Sequence, residues 1–220
     1  MGTSTALKRR LFPHGFAGEV MDLIYQVWKG FSKPDCVIRE NRITALLRDA
    51  ILEYSDEDRI SFIALEDPIT DSLSGTETGR NDLRFYPKVH YKQTLFFTVE
   101  CKKLHIRTTS SSKHNCDAYV KDGMIRFISN DSENTLYAEG LPCGGMVGYV
   151  LDNKVQAAFN RVNLEINNRS AAISLVTNGI SSPSSAIPKY KYSLDTTHNR
   201  KDGEFKLHHM LLGVRTKTTT

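Results

Sequence analysis

Apolar positions along the chain switch between two periods, and the switches predict its elements. Val20, Leu23, Ile24, Val27 and Phe31 recur at helical spacing, with Trp28 beside the stripe. They predict a first amphipathic helix, broken near Gly30 and closed before Pro34. Ile43, Leu46, Leu47, Ala50, Ile51 and Tyr54 trace a clearer apolar face on a second helix from Glu40 to Tyr54. The period then shortens. Ile60 to Leu65 reads as a strand, bounded behind by Asp67-Pro68, and a polar loop runs on to Gly79. Asp82-Leu83-Arg84-Phe85-Tyr86, ended by Pro87, and Leu95 to Lys103 read as two more strands, able to pair antiparallel across a polar connector.

Beyond a polar stretch from Arg107 to Asn115, the segment Cys116 to Ser129 spaces Tyr119, Gly123, Met124, Phe127 and Ile128 as a half-buried helix would, one expected to cross over the sheet. Gly140 to Gly148 reads as a glycine-rich turn opening a helix, with an apolar pattern through Val162. Neither a Walker loop nor a dinucleotide fingerprint is present there, so close packing is the favoured reason for the glycines. Ala171 to Val176 predicts a strand, Asn178 to Pro188 a loop, and Phe205 to Val214 a closing strand. Adjacent His208 and His209 in that strand point to opposite faces and are expected to be structural. One domain over residues 1–220, with loose polar termini, fits this order and length.

Composition narrows the picture. A net charge of +4 is compatible with a polyanionic partner but does not by itself indicate one. Four cysteines without a Cys-x-x-Cys pair, and no secretory leader, point to reduced thiols and a cytoplasmic setting. No apolar run is long enough to span a bilayer. A Gly-x-Ser-x-Gly elbow is missing, and no cysteine carries a partner motif for nucleophilic hydrolysis.

The candidate chemistry lies where an apolar run acquires charge: Val99-Glu100-Cys101-Lys102-Lys103. Strand alternation puts Glu100 and Lys102 on one face, roughly 7 Å apart along the strand, and turns Cys101 into the core. Mg²⁺ prefers oxygen ligands and binds through one or two carboxylates together with waters and substrate phosphate. Asp82 and Glu100 are the candidate ligands. Lys102, beside them, is placed to orient or activate a water and to offset charge on a phosphoryl transition state. The competing structural reading is a cross-strand ion pair on a solvated face.

Asp82, Glu100 and Lys102 resemble the signature of the PD-(D/E)xK nuclease superfamily: an acid on one strand and Glu-x-Lys on the next. Asn81 stands where that signature has its proline. The segments Tyr119 to Phe127 and Gly144 to Val150 are also similar to a poorly characterised prokaryotic group within the superfamily. The resemblance implies an α/β restriction-endonuclease-like fold, with a mixed central sheet flanked by helices. It implies Mg²⁺- or Mn²⁺-dependent hydrolysis of phosphodiester bonds, in DNA ahead of RNA, and a role in restriction or anti-phage defence. In that fold an opening helix often lends a further acid, which makes Glu40 a candidate metal ligand. Without the resemblance, Glu40 reads as an acid at the positive end of a helix dipole. Arg126 matches an Arg-Phe pair of the similar proteins. With Lys103, Arg107 and Lys113 it forms the candidate nucleic-acid-binding set. A second copy of the chain or a subunit of a defence complex is the candidate protein partner. The alternative function is a catalytically silent nucleic-acid-binding or assembly subunit with the same fold.

Overall fold

A computed structural model describes residues 5–37, 39–54, 60–70, 77–88, 94–104, 115–128 and 136–217. Its centre is a seven-stranded mixed sheet in the order β2-β3-β4-β5-β8-β7-β6. These strands are β2 Ile60–Thr70, β3 Glu77–Pro87, β4 Phe97–Leu104, β5 Cys143–Val150, β6 Leu175–Ser181, β7 Ser193–Arg200 and β8 Gly203–Gly213. The central pairs β4·β5 and β5·β8 are parallel and the flanking pairs antiparallel. A small parallel pair, β1 Lys33–Pro34 and β9 Thr216–Lys217, joins the two ends of the chain. The protein is therefore α/β with helices on a mixed sheet. Among the described residues no helix is long and apolar enough to cross a membrane.

Helices cover both faces. On one, α2 Phe16–Gly30 and α3 Glu40–Tyr54 bury Val20, Ile24, Ile43, Leu47 and Ile51 against Val99, Cys101, Val147 and Met210. The two predicted helical stripes are the ones that pack, except that Tyr54 at the end of the second is exposed. Trp28 Nε1 donates to Gly213 O at 3.0 Å and fixes the end of α2 to β8. On the other face lie α4 Cys116–Ala118, a π-helical turn Tyr119–Met124, α5 Ile125–Ile128 and α6 Val155–Asn168. They pack Tyr119, Val120, Met124, Phe127 and Val162 on Leu104, Met146, Val150 and Leu211. The expected crossover helix is thus a short helix widened by a π turn. The N-terminal tail expected to be loose is helix α1 Thr5–Leu11, and Arg9 NH1 ties it to the Glu204 carbonyl.

Several sequence expectations change. β2 runs on through Asp67-Pro68 to Thr70 and β3 begins at Glu77, in place of the polar loop expected up to Gly79. The glycine-rich run does not open a helix. It is β5, buried along its whole length at the centre of the sheet. A Cβ on Gly144 would lie 2.7 Å from the Phe127 ring, and one on Gly145 3.0 Å from Phe97, so both faces need the absent side chain. The residues 171–174 form turns, and the strand begins at Leu175. β7 carries no apolar alternation to predict it: Ser193, Asp195, Thr196, His198 and Arg200 are polar, yet they are buried.

Hydrogen bonds make that burial tolerable. His198 Nδ1 meets Ile173 O at 2.7 Å, so its proton sits there and Nε2 accepts from Thr196 Oγ1 at 2.7 Å. Thr196 Oγ1 in turn accepts from His209 Nε2 at 2.8 Å, and Tyr119 donates to His209 Nδ1 at 3.1 Å. Burial pushes His209 down to about 3 and His198 to about 4, so the chain of bonds is neutral.

Candidate metal and phosphodiester site

The site forms where the sheet splits. Leu83 pairs with Val99, but beyond that point β3 remains with β2, from Asp67↔Asn81 to Thr70↔Glu77. β4 continues with β5, from Glu100↔Met146 to Leu104↔Val150. Splitting leaves the N–H groups of Cys101 and Lys103 without ladder partners, and two carboxylates take them. Cys101 N–H donates to Asp82 Oδ2 at 2.7 Å, and Lys103 N–H to Glu40 Oε2 at 2.6 Å. The first residue of α3 thereby reaches β4, although 62 positions separate Glu40 from Lys102.

Lys102 Nζ gathers these groups. It lies 2.5 Å from Glu100 Oε1, 3.1 Å from Glu40 Oε1 and 3.1 Å from Cys101 O, which uses all three of its protons. Arg126 NH1 approaches the same Glu100 Oε1 at 3.1 Å and donates to Tyr137 OH at 2.8 Å. Glu100 Oε2 is different: it is buried and has no hydrogen-bond partner among the described residues. The Asp82 Oδ1 atom likewise takes no hydrogen bond among the described residues.

Electrostatics follow from burial. Glu100 is fully buried, and desolvation, with Asp82 adding to it, pushes its carboxyl up to about 8 against the pull of Lys102 and Arg126. Burial also raises Asp82, opposed by Lys102 and the Cys101 N–H. For Lys102, burial favours the neutral amine, but Glu100, Glu40 and Asp82 together hold it above the usual lysine range. Lys102 is therefore an ammonium and cannot serve as a base.

Asp82, Glu100, Lys102, Glu40 and Arg126 come together. Lys103 joins them only through its backbone, since its side chain alternates to the face away from Lys102. Arg107 and Lys113 lie outside the described residues.

No family model, curated protein or solved structure matches this chain. The site must be judged by its own chemistry. Among the described residues, no three His, Cys, Asp or Glu side chains form a ready cluster for a metal ion. Lys102 stands between Glu40 and Glu100, where a shared cation would otherwise have to lie. The open oxygens Asp82 Oδ1 and Glu100 Oε2 are nonetheless hard donors, of the type that suits Mg²⁺ or Mn²⁺.

Two contributors escaped the sequence reading. Tyr137 supports Arg126 with its hydroxyl and its ring, and burial pushes its phenol up to about 12. It follows a polar segment and carries no periodic signal. Gly123, in the π turn, lets the backbone approach Lys102: a Cβ there would sit 3.4 Å from Lys102 Cγ and 2.7 Å from Met146 Cε. A glycine inside an otherwise helical pattern was the available clue.

Proposed function

We propose that the protein is a metal-dependent nuclease of the restriction-endonuclease-like type, acting on phosphodiester bonds in DNA ahead of RNA. The observation that carries this reading is Glu100 Oε2, a buried carboxyl oxygen with no partner among the described residues, beside Asp82 at the opening between β3 and β4. Leaving such an oxygen bare costs folding free energy of about 1–3 kcal/mol, which a bound cation would return. Asp82 and Glu100 would hold Mg²⁺ or Mn²⁺, with Glu40 able to join once Lys102 moves. Bound there, the metal would supply Lewis-acid polarisation of a phosphoryl oxygen.

The protein's own residues do the rest. Lys102, a permanent ammonium on Glu100, would orient a water with the proton freed once it leaves Glu40, and offset negative charge developing on the phosphoryl group. Arg126, braced by Tyr137, presents its guanidinium to phosphate oxygens. A restriction or defence setting, with a second copy or a partner subunit, belongs to the same proposal.

A second reading has its own support. Lys102 and Arg126 already occupy Glu100 Oε1, as they would in a silent nucleic-acid-binding or assembly subunit. Cleavage of plasmid DNA, single-stranded DNA and RNA with Mg²⁺ or Mn²⁺ separates the two, run beside Asp82→Ala and Lys102→Ala. Cleavage lost in both variants supports the nuclease. Tight binding with every substrate left whole supports the silent subunit instead.

A further inference from the structure

The face of the sheet covered by α2 and α3 carries a second feature. The N-terminal ends of α2, β5 and β8 and the basic helix α1 enclose a cavity of 810 Å³. Arg9, Arg10 and Lys206 line it, against one lining carboxylate, Glu204. Arg9 is partly engaged, donating to the Glu204 carbonyl and lying 3.7 Å from Asp202. Arg10 and Lys206 make no ion pair among the described residues, and Arg9 Nε is buried there without a hydrogen-bond partner.

His208 gives the cavity its character. Of the three buried histidines on β7 and β8, His198 and His209 have both ring nitrogens bonded. His208 does not. Its Nδ1 meets Asp195 Oδ1 at 2.8 Å and Ser184 Oγ at 3.4 Å. Asp195 is itself anchored: Ser184 Oγ donates to Oδ1, while Ser185 N and Oγ donate to Oδ2 at 2.9 and 2.6 Å. A carboxylate fixed in this way keeps the ring proton on Nδ1. The other nitrogen, Nε2, has no partner among the described residues, and the ring, only 6% exposed, lines the cavity. A buried network satisfied on one side alone is costly unless its open atom is met by a ligand or water.

The helix above points the same way. Gly15 caps the 15-residue α2 in a left-handed conformation, φ 81°, and offers no side chain to the first-turn N–H groups. Ala17 and Gly18 of that turn line the cavity. Exposed amides at a helix start favour an anion.

We propose that this cavity binds a phosphomonoester of nucleotide size, its phosphate oxygens accepting from Lys206, Arg10 and the start of α2 while its remaining P–OH donates to His208 Nε2. A singly protonated phosphate meets both the positive charge and the bare ring nitrogen, which a carboxylate does not. Its tetrahedral oxygens accept from several directions at once. Phe12, edge-on to Phe16 at 6.1 Å, supplies an apolar wall for the organic part. The volume lies within the range of about 300–1,000 Å³ common to small-molecule pockets. The site is independent of the nuclease reading and stands or falls apart from it.

The test uses the full chain in EDTA, which removes any divalent cation from the other site. Inorganic phosphate, a nucleoside 5′-monophosphate, the bare nucleoside, and an oligonucleotide with and without a 5′-phosphate are titrated by calorimetry. Imidazole nitrogen resonances are followed in parallel by NMR. The expected result is binding of the phosphorylated probes only, a shift confined to His208 Nε2, and about tenfold weaker binding in Arg10→Ala and in Lys206→Ala. Preference for the mononucleotide assigns a free nucleotide, and preference for the phosphorylated oligonucleotide assigns a nucleic-acid end. Both support the proposal. Because Arg10 and Lys206 lie nearer the surface, their variants keep the test decisive even where His208→Gln does not fold. No shift at His208 with any phosphate up to about 10 mM, or binding unchanged when both cations are removed, overturns it.

Discussion

Glu100→Gln is expected to leave stability almost unchanged at pH 5 and to increase it at pH 9. A carboxyl lifted from its ordinary 4.5 to about 8 in the fold binds its proton far more tightly when folded. At about 1.4 kcal/mol for each tenfold change in proton affinity, ionising Glu100 costs the folded state up to about 5 kcal/mol once the pH exceeds both values. The sign follows from proton binding: between pH 4.5 and 8 the folded state holds the proton and the unfolded chain has lost it, so stability falls as pH rises. Glutamine, a neutral mimic of the protonated acid, removes this group's share of the slope. Asp82, raised in the same direction, keeps its own share in both proteins. Urea unfolding in EDTA at pH 5, 7 and 9 measures the difference. Adding Mn²⁺ at pH 9 should then stabilise the natural protein and do little for the variant. A variant less stable by the same amount at every pH would refute the reasoning. Glu100 would then be an ordinary structural partner of Lys102 and Arg126, with ion pairing outweighing its desolvation.

Mn²⁺ affinity should rise with pH up to about 8 and then level, because Glu100 must lose its proton to become a ligand; calorimetry in buffers of different ionisation enthalpy would show the released proton. Lys102→Met should lower cleavage by about 100-fold or more while Mn²⁺ binding is kept or tightened, since the ammonium 2.5 Å from Glu100 competes with the metal; equal loss of both would deny that competition. Gly144→Ala should destabilise the fold by about 1–3 kcal/mol in urea unfolding, as its Cβ would press to 2.7 Å from Phe127 and 3.2 Å from Phe205; an unchanged midpoint would contradict close packing on β5.

Local order in the chain was enough for much of this architecture. A helical period depends on neighbours three and four residues apart, so α3 runs from Glu40 to Tyr54 as its apolar stripe indicates. Strand alternation likewise needs only adjacent residues, and Glu100 and Lys102 do share a face, with Nζ and Oε1 2.5 Å apart. The periodic signal fails wherever burial is two-sided or polar. β5 is covered on both faces and shows no alternation, so its glycines resemble a turn. β7 buries Asp195, Thr196 and His198 through partners on other strands and in loops, which nothing within Ser193–Arg200 discloses.

What only the tertiary structure decided is how the charges are shared. Glu40 reaches Lys102 because β3 and β4 separate and leave the Lys103 N–H for it to accept, a consequence of sheet geometry rather than of spacing. Likewise, His208 keeps one nitrogen open while its neighbour His209 keeps none, because adjacent residues of a strand face different surroundings. Residue order determined which groups are present and which way they point. Packing determined which carboxylates lose water, and with it their proton affinity and their capacity for chemistry.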